Sequence, residues 1–155
     1  MLFQSSACFL VLYLRLLIHT ARVKARDARR QSDMTQIMTA LNLFYDDNRC
    51  LPRPGSTGCI STDSNAGGWD YSSQGSFLPF LESAGYFSST PVDPVNNMTG
   101  DGTPSGTYAY RYYCYTSGSN VGLHLGYWRE QGGYIIFSTS KTTGGDPANS
   151  DYVCK

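Results

Sequence analysis

The rest of the chain is organised around the stretch KARDARRQSDMTQIMTALNLFYDDNRCLP, residues 24–52. This stretch begins with charged residues, and its apolar residues then recur three and four positions apart, the spacing that lines one face of an α-helix. The polar residues 46–48 favour a turn, and Leu51 precedes Pro52, a position that disfavours helix. The stretch therefore predicts an amphipathic helix whose apolar stripe needs a cover. The stripe consists of Met34, Ile37, Met38, Leu41, Phe44 and Tyr45.

The chain before this stretch is apolar over residues 7–18, with Arg15 as the interruption. This run is shorter than the roughly 20 apolar residues that cross a bilayer, and a charge at mid-bilayer is costly. Its length also suits a signal peptide, but no small-residue cleavage pattern follows it. We therefore expect residues 1–22 to form a degenerate membrane-contacting helix that continues into the amphipathic one. Residues 23–155 would form the globular head, which includes the amphipathic half of the helix.

Charge is distributed unevenly along the 155 residues, although the formal net charge is zero. Residues 1–30 contain six basic residues and one acid, whereas residues 31–155 contain six basic and eleven acidic residues. A basic end after an apolar run fits a membrane-proximal segment better than a nucleic-acid binder. We expect the basic residues among positions 22–30 to mark a membrane boundary or to pair with acids of neighbouring subunits.

Of the five cysteines, Cys8 lies in the apolar run and the other four lie in the polar body. Their spacing does not match the close pairs of a zinc site. The body is rich in Gly, Ser, Thr and Tyr, a composition typical of exported β-rich domains, and disulfides form in exported proteins. Four cysteines allow three pairings, which sequence alone does not decide. Cys50–Cys59 and Cys114–Cys154 are favoured because they form a short loop and a C-terminal staple.

The middle of the chain predicts one short helix between loops. Residues 53–75 are dense in Gly, Ser and Asn and predict a loop, held by a Cys50–Cys59 bridge and by aromatic anchors at Trp69 and Tyr71. Residues 76–86 predict a helix that Ser76 can cap and Gly85 can close. Residues 90–97, TPVDPVNN, predict a connector fixed by its prolines.

Three strand-like runs follow, at residues 107–115, 121–130 and 134–140. The short connections between them indicate an antiparallel meander. A long N-terminal helix packed on a three- to four-stranded antiparallel sheet is an α+β architecture. The apolar face of the sheet is the expected cover for the helix stripe.

Two segments resemble a known protein family. Residues 24–52 resemble the first-helix region of bacterial type IV pilins and of the pseudopilins of type II secretion. The segment SFLPFLESAGYFSSTPVDPVNN, residues 76–97, is similar to the short helix and DP-containing connector that follow in that family. The match covers residues 20–115, and the remainder is similar in architecture. The family's leader, its cleavage motif and the glutamate near its start have no counterpart in residues 1–20.

The resemblance implies a pilin-like fold and a structural subunit of a type IV pilus or of a type II secretion pseudopilus. Such subunits assemble through their N-terminal helices into a homo-oligomeric filament, so residues 1–22 would lie in the membrane or in the filament core. The implied partners are other pilin-like subunits, the inner membrane and the assembly machinery. The head would be extracytoplasmic, at the cell surface or in an extracellular filament after assembly. The implied subunit contacts are Phe9, Leu10, Leu12, Leu14, Leu16, Leu17 and Ile18.

Calcium is the candidate cofactor. Four residues of the C-terminal segment TTGGDPANSDY supply side-chain oxygens close together, as a hard cation prefers. Major pseudopilins of type II secretion hold calcium in a C-terminal loop of this character, so the resemblance also points to it. The alternative is a solvated, glycine-rich tail held by Cys154. The candidate ligands are Asp146, Asn149, Ser150 and Asp151.

The aromatic residues of the predicted sheet suggest an alternative function. Strand alternation places Tyr108, Tyr110 and Tyr112 on one face and Arg111, Tyr113 and Tyr115 on the other. Such a face can stack on a glycan or on single-stranded nucleic acid, in a membrane-tethered or secreted binding module. We do not expect nucleic acid as a partner, because the acidic body would repel phosphate. The other interpretation is that one face packs on the helix and the other forms subunit contacts.

Motifs for catalysis are absent from the sequence. The two histidines, His19 and His124, are far apart, and neither accompanies a nucleophile motif. The sequence has no GxSxG, no phosphate-binding glycine loop and no HExxH. We therefore expect no enzymatic activity.

Overall fold

The first helix, α1, spans Gln4–Asn48 and contains 45 residues. At a rise of about 1.5 Å per residue, it is about 67 Å long. The computed structural model describes residues 4–55, 59, 69–98, 106–115, 122–138 and 154. The apolar N-terminal run and the amphipathic stretch belong to one continuous helix.

Four antiparallel strands form one sheet in the order β1-β2-β3-β4. They are β1 (Asp70–Tyr71), β2 (Arg111–Tyr115), β3 (Gly122–Trp128) and β4 (Tyr134–Ser138). The predicted α+β architecture with an antiparallel meander is therefore confirmed. Strand β1 lies inside the predicted loop 53–75. The sequence does not predict it, because a strand of two residues is too short to show alternation.

The second helix, α2, spans Pro79–Ser83. The expectation that Ser76 caps it is wrong, because Leu78 precedes the first turn in a left-handed conformation and no side chain caps the helix. The backbone N–H of Leu78 instead donates to the Asp70 carboxylate at 2.9 Å, which links α2 to β1. Gly85 closes the helix as predicted, with a φ of 81° that a residue with a side chain would adopt only with strain.

The apolar stripe of α1 packs on one face of the sheet. Four residues of the stripe are buried and two are half-buried at its margin: Met34, Ile37, Leu41 and Phe44, then Met38 and Tyr45. Tyr112, Leu123 and Leu125 on the facing side of the sheet are fully buried, as strand alternation requires. Phe80 of α2 completes this core, since its ring lies 4.9 Å from the ring of Phe44.

Two disulfides join Cys50 to Cys59 and Cys114 to Cys154, the pairs that the sequence favours. Cys154 also forms a single parallel bridge with Leu51, just after α1. The end of α1, strand β2 and Cys154 are thus joined at one end of the sheet. The β3–β4 turn lies at the other end.

Candidate functional site

The N-terminal part of α1 extends beyond the sheet. Every residue from 9 to 22 is exposed, and we call these residues the projecting segment. Its large apolar side chains, among residues 9–18, are 45–69% exposed. The residues implied in subunit contact all lie on it: Phe9, Leu10, Leu12, Leu14, Leu16, Leu17 and Ile18.

The apolar surface of the projecting segment surrounds the helix instead of forming a stripe. Residues 9–18 are apolar at every position except Arg15, so every face of the helix carries apolar side chains. In folded proteins, a helix that is apolar all round is covered by other helices or by lipid. Exposed apolar patches beyond a few hundred Å² mark interaction sites. Within the described residues, no helix combines the length and the apolar character needed to span a membrane.

Arg30 lies where α1 enters the head, and it is fully buried. Its guanidinium donates two hydrogen bonds to Asp93 in the proline connector, at 2.7 and 3.0 Å. It also donates to Asp27 at 2.7 Å and to Glu130, in the β3–β4 turn, at 2.9 Å. Arg26 donates a further bond to Glu130 at 2.6 Å. These five residues, which we call the junction cluster, join α1 to the connector and to the β3–β4 turn.

The hydrogen bonds of the junction cluster keep its Arg30 and Glu130 side chains in their charged forms. Burial by itself lowers the pKa of Arg30, but the hydrogen bonds to Asp93 and the charge of Asp93 outweigh it and raise that pKa above its ordinary value. The hydrogen bond from Arg26 holds the pKa of Glu130 below its ordinary value, against the effect of burial. Both shifts favour the charged forms, so Arg30 and Glu130 are ionised at neutral pH.

Further hydrogen bonds fix the orientation of α1 on the sheet. The Asp27 carboxylate accepts bonds from the backbone N–H groups of Glu130 and Gln131, at 3.1 and 3.3 Å. One turn and a half further along α1, Asp33 accepts a bond from the Tyr110 hydroxyl at 2.7 Å. Burial, and then the Asp33 hydrogen bond, raise the pKa of Tyr110, so this hydroxyl keeps its proton. Where α1 enters the head, it is therefore held by polar contacts both to the β3–β4 turn and to Tyr110.

Two of the basic residues 22–30 have acidic partners within the chain instead of the expected partners on neighbouring subunits. Arg26 and Arg30 pair with acids of their own head, whereas the expected membrane boundary stays a prediction. Arg29 is mostly exposed and lies 3.5 Å from Asp33 on the same helix. The junction cluster could not be predicted from the sequence, because the partners of Arg30 in the connector and the turn are 63 and 100 positions away. The position of Asp93 inside the proline-fixed connector is the one signal that the sequence offers.

The face of the sheet away from α1 holds the second candidate site. Tyr113 and Tyr115 lie on this outer face, whereas Tyr110 and Tyr112 lie buried on the α1 side, as alternation predicts. The ring of Trp69 packs near Tyr113 and Tyr115, with centroid distances of 5.6 and 6.0 Å. The outer face therefore presents a group of aromatic rings.

The rings of the outer face contact one another closely. The guanidinium of Arg111 lies between the rings of Trp69 and Tyr134, 5.1 and 3.7 Å from their centroids. The His124 ring meets Tyr115 edge-to-face at 4.9 Å. Tilted and edge-to-face rings do not form a flat platform, so this arrangement stabilises the sheet surface itself.

The remaining candidates are separated or lie outside the described residues. The candidate calcium ligands belong to the second group, so calcium binding stays a prediction: Asp146, Asn149, Ser150 and Asp151. Among the residues that the structure describes, no group of three or more His, Cys, Asp or Glu side chains is placed to hold a metal ion. His19 is exposed on the projecting segment and His124 lies in β3, so the two histidines are not brought together.

Comparisons of the chain with protein-family models, with curated proteins and with solved structures find no match. The candidate sites therefore depend on the geometry of this chain alone. Among the described residues, nine of the twelve exposed large hydrophobic side chains lie on the projecting segment. The junction cluster fixes the helix where that segment leaves the head.

Proposed function

We propose that the chain is a structural subunit of a type IV pilus or of a type II secretion pseudopilus, and that it assembles through its N-terminal helix. The main support is the projecting segment, an apolar helix exposed on all sides and continuous with the helix packed in the head. Packing of projecting segments from several copies would remove apolar surface from water, which stabilises by about 25 cal/mol per Å². Hydrophobic burial would therefore drive assembly.

The junction cluster supports the same proposal. When helices of many copies pack together, the position of each helix sets the position of its head, so the angle between helix and head must be constant. The buried bidentate contact between Arg30 and Asp93 provides such a constraint, since both side chains are 0% exposed. The contact of Arg26 with Glu130 adds a second point of attachment.

Location and partners follow from this proposal. The subunit would sit in the inner membrane before assembly and contact other pilin-like subunits and the assembly machinery during it. Two disulfides fit an extracytoplasmic head, because disulfides persist in oxidising compartments. The head would finally lie at the cell surface or in an extracellular filament.

The test is expression of the chain, fused to a pilin leader, together with a pilus or pseudopilus assembly system. Filaments are sheared from the cells and examined by electron microscopy with an antibody against the head. The informative variant carries Leu12→Glu and Leu16→Glu in the projecting segment. The control is Val92→Glu, which places the same charge at a 38% exposed apolar residue of the head.

We expect labelled filaments from the unaltered chain and from Val92→Glu, and none from the double variant, whose charges would have to be buried among helices. Filaments of normal abundance from the double variant would contradict assembly through the projecting segment. An unaltered chain that enters neither filaments nor membranes would contradict the proposed function.

The alternative, a binding module that stacks a glycan or a single strand on the outer face, has less support. Stacking needs open ring faces. In the described part of the chain, Trp69 and Tyr134 already hold the guanidinium of Arg111 between them. Titration of the chain with oligosaccharides and single-stranded oligonucleotides, beside a Trp69→Ala variant, distinguishes this alternative.

A further inference from the structure

A cleft of about 340 Å³ lies between α1 and strand β4, and we call it the β4 cleft. Its floor is apolar and consists of Tyr127 from β3 and Ile135 and Phe137 from β4. Its rim is polar and includes Gln31 from α1 and Arg129 and Gln131 from the β3–β4 turn. The size and the mixture of an apolar floor with a few polar groups are typical of ligand sites.

The cleft exists because α1 covers only part of the sheet. Leu125 and Tyr127 of β3 lie under the helix and are 0% and 3% exposed. Their partners in the next strand, Phe137 and Ile135, point to the same face but are only partly buried. The helix-facing side of β4 is therefore an apolar surface that α1 leaves open.

Within the described residues, strand β4 also has a free edge. It pairs with β3 along its whole length, and among the described residues no strand pairs with its other side. An edge strand presents unpaired backbone N–H and C=O groups, which an extended peptide can use. The turn end of β4, where the rim of the cleft lies, is at the opposite end of the sheet from the Cys114–Cys154 disulfide.

Arg129 supplies the free charge of the cleft. Its side chain is exposed and, within the described residues, forms no ion pair. It lies over Gly133, where an added Cβ would be 3.2 Å from the guanidinium. Asp27, which also lines the cleft, accepts hydrogen bonds from Arg30 and from the N–H groups of the turn. The positive charge that a ligand at the rim would meet is that of Arg129, which has no ion-pair partner among the described residues.

We propose that the β4 cleft binds the C-terminal end of an extended peptide whose last residues are apolar. The peptide carboxylate pairs with Arg129, and an apolar side chain enters the floor formed by Tyr127, Ile135 and Phe137. Because Arg129 lies over Gly133, the residue that precedes β4, a peptide that ends there runs antiparallel to β4. Its backbone then extends the sheet by one strand, and alternate side chains face the cleft.

Each part of this assignment depends on a different observation. The guanidinium selects an anion and the partly buried β4 side chains select an apolar group. The free edge selects a peptide over a small carboxylic acid, because only a peptide pairs with the strand backbone. The inference does not depend on filament assembly, since the cleft belongs to the head.

The test is fluorescence anisotropy of labelled peptides with the full chain in detergent micelles, which cover the projecting segment. The probe is the hexapeptide STSTVL with a free carboxylate, and it is compared with the same peptide amidated, with STSTVD, and with N-acetyl-leucine as competitor. We expect the free-carboxylate form of STSTVL to bind at least about tenfold more tightly than its amide or STSTVD. N-acetyl-leucine should compete at least about tenfold less well than unlabelled STSTVL, because it forms no strand.

Two variants separate the cleft from the rest of the surface. Arg129→Gln should remove the preference for the free carboxylate and weaken binding by about tenfold or more. Arg49→Gln, at an exposed arginine near the other end of the head, should bind as the unaltered chain does. Melting curves verify that both variants fold. Equal binding of the acid and the amide, equal competition by N-acetyl-leucine, no effect of Arg129→Gln, or no binding at millimolar peptide would each overturn the proposal.

Discussion

Replacing Asp93 by Asn should destabilise the head strongly. In the unaltered chain, Asp93 and Arg30 are both 0% exposed and share two hydrogen bonds, at 2.7 and 3.0 Å. One Asp93 oxygen also accepts the backbone N–H groups of Val95 and Asn96. The carbonyl oxygen of an Asn can still accept these backbone bonds. The substitution therefore removes the charge opposite Arg30 while it leaves the connector turn in place.

The magnitude follows from the environment of Arg30. Removal of one partner from a buried ion pair costs about 3–5 kcal/mol, because the other charge stays buried. Asp27 and Glu130 still accept bonds from one nitrogen of Arg30, so we expect about 3 kcal/mol. For a chain of this size, each kcal/mol lowers Tm by roughly 2–4 °C, so Tm should fall by about 6–12 °C.

The assay is urea and thermal unfolding of the full chain in micelles, followed by tryptophan fluorescence. The control is Asp46→Asn, because Asp46 is exposed and lies 3.9 Å from the exposed Arg49, so its loss should cost under about 0.5 kcal/mol. In a double-mutant cycle with Arg30→Met, the coupling energy should lie in the range of about 0.5–3 kcal/mol. A loss for Asp93→Asn no greater than that for Asp46→Asn, or strict additivity in the cycle, would show that the Arg30–Asp93 pair does not stabilise the head.

Three further predictions concern pH, disulfides and a close approach in the sheet. The pKa of Glu130 is lowered in the folded state, so the stability that its charged form contributes is complete above the ordinary pKa of about 4.3 and is lost as the pH falls below that value. When Tm is measured from pH 7 to pH 3, it should therefore fall less steeply in Glu130→Gln than in the unaltered chain. Parallel Tm curves for the two proteins would count against this. Removal of the Cys114–Cys154 disulfide, which closes a loop of 40 positions, should cost about 3.9 kcal/mol of folding stability. Removal of Cys50–Cys59, which closes a loop of 9 positions, should cost about 2.6 kcal/mol. Urea unfolding of the two double-Ser variants measures both losses, and a larger loss for the Cys50–Cys59 variant would contradict this prediction. Gly126→Ala should cost about 1–3 kcal/mol, because the added Cβ would lie 2.7 Å from the Ile135 carbonyl oxygen and against the Tyr134 ring. Urea unfolding measures the loss, and a loss within about 0.5 kcal/mol, as for an ordinary surface substitution, would exclude a steric cause.

Much of the head could be predicted from the sequence because its signals are local. The stripe from Met34 to Phe44 repeats at helical spacing, and its central residues are buried in the core. The alternation along β2 assigns Tyr112 and Tyr113 to opposite faces, as the structure has them. Gly85 marks the end of α2 in the sequence, because a glycine after a short apolar run favours the left-handed conformation that ends a helix.

Other elements could not be predicted because nothing in the neighbouring residues specifies them. Strand β1 has two residues, too few to show the alternation of apolar and polar residues that marks a strand. Leu78 adopts a positive φ of 50°, and its N–H finds its acceptor in Asp70. The β4 cleft depends on where α1 crosses the sheet, which no sequence pattern encodes.

The long helix, its buried stripe, the antiparallel strands and the apolar N-terminal run all have local signals in the amino-acid sequence. In each of these elements the spacing of the hydrophobic residues matches the period of a helix or strand, so that they lie on one face. This spacing can be recognised within a few residues of the sequence. The burial of Arg30, which lies in a basic stretch that looks solvent-exposed, depends instead on the tertiary fold. A buried charge is stable only when its partners are in place. Those partners, Asp93 and Glu130, are 63 and 100 positions away and meet Arg30 only when the connector and the β3–β4 turn close around α1.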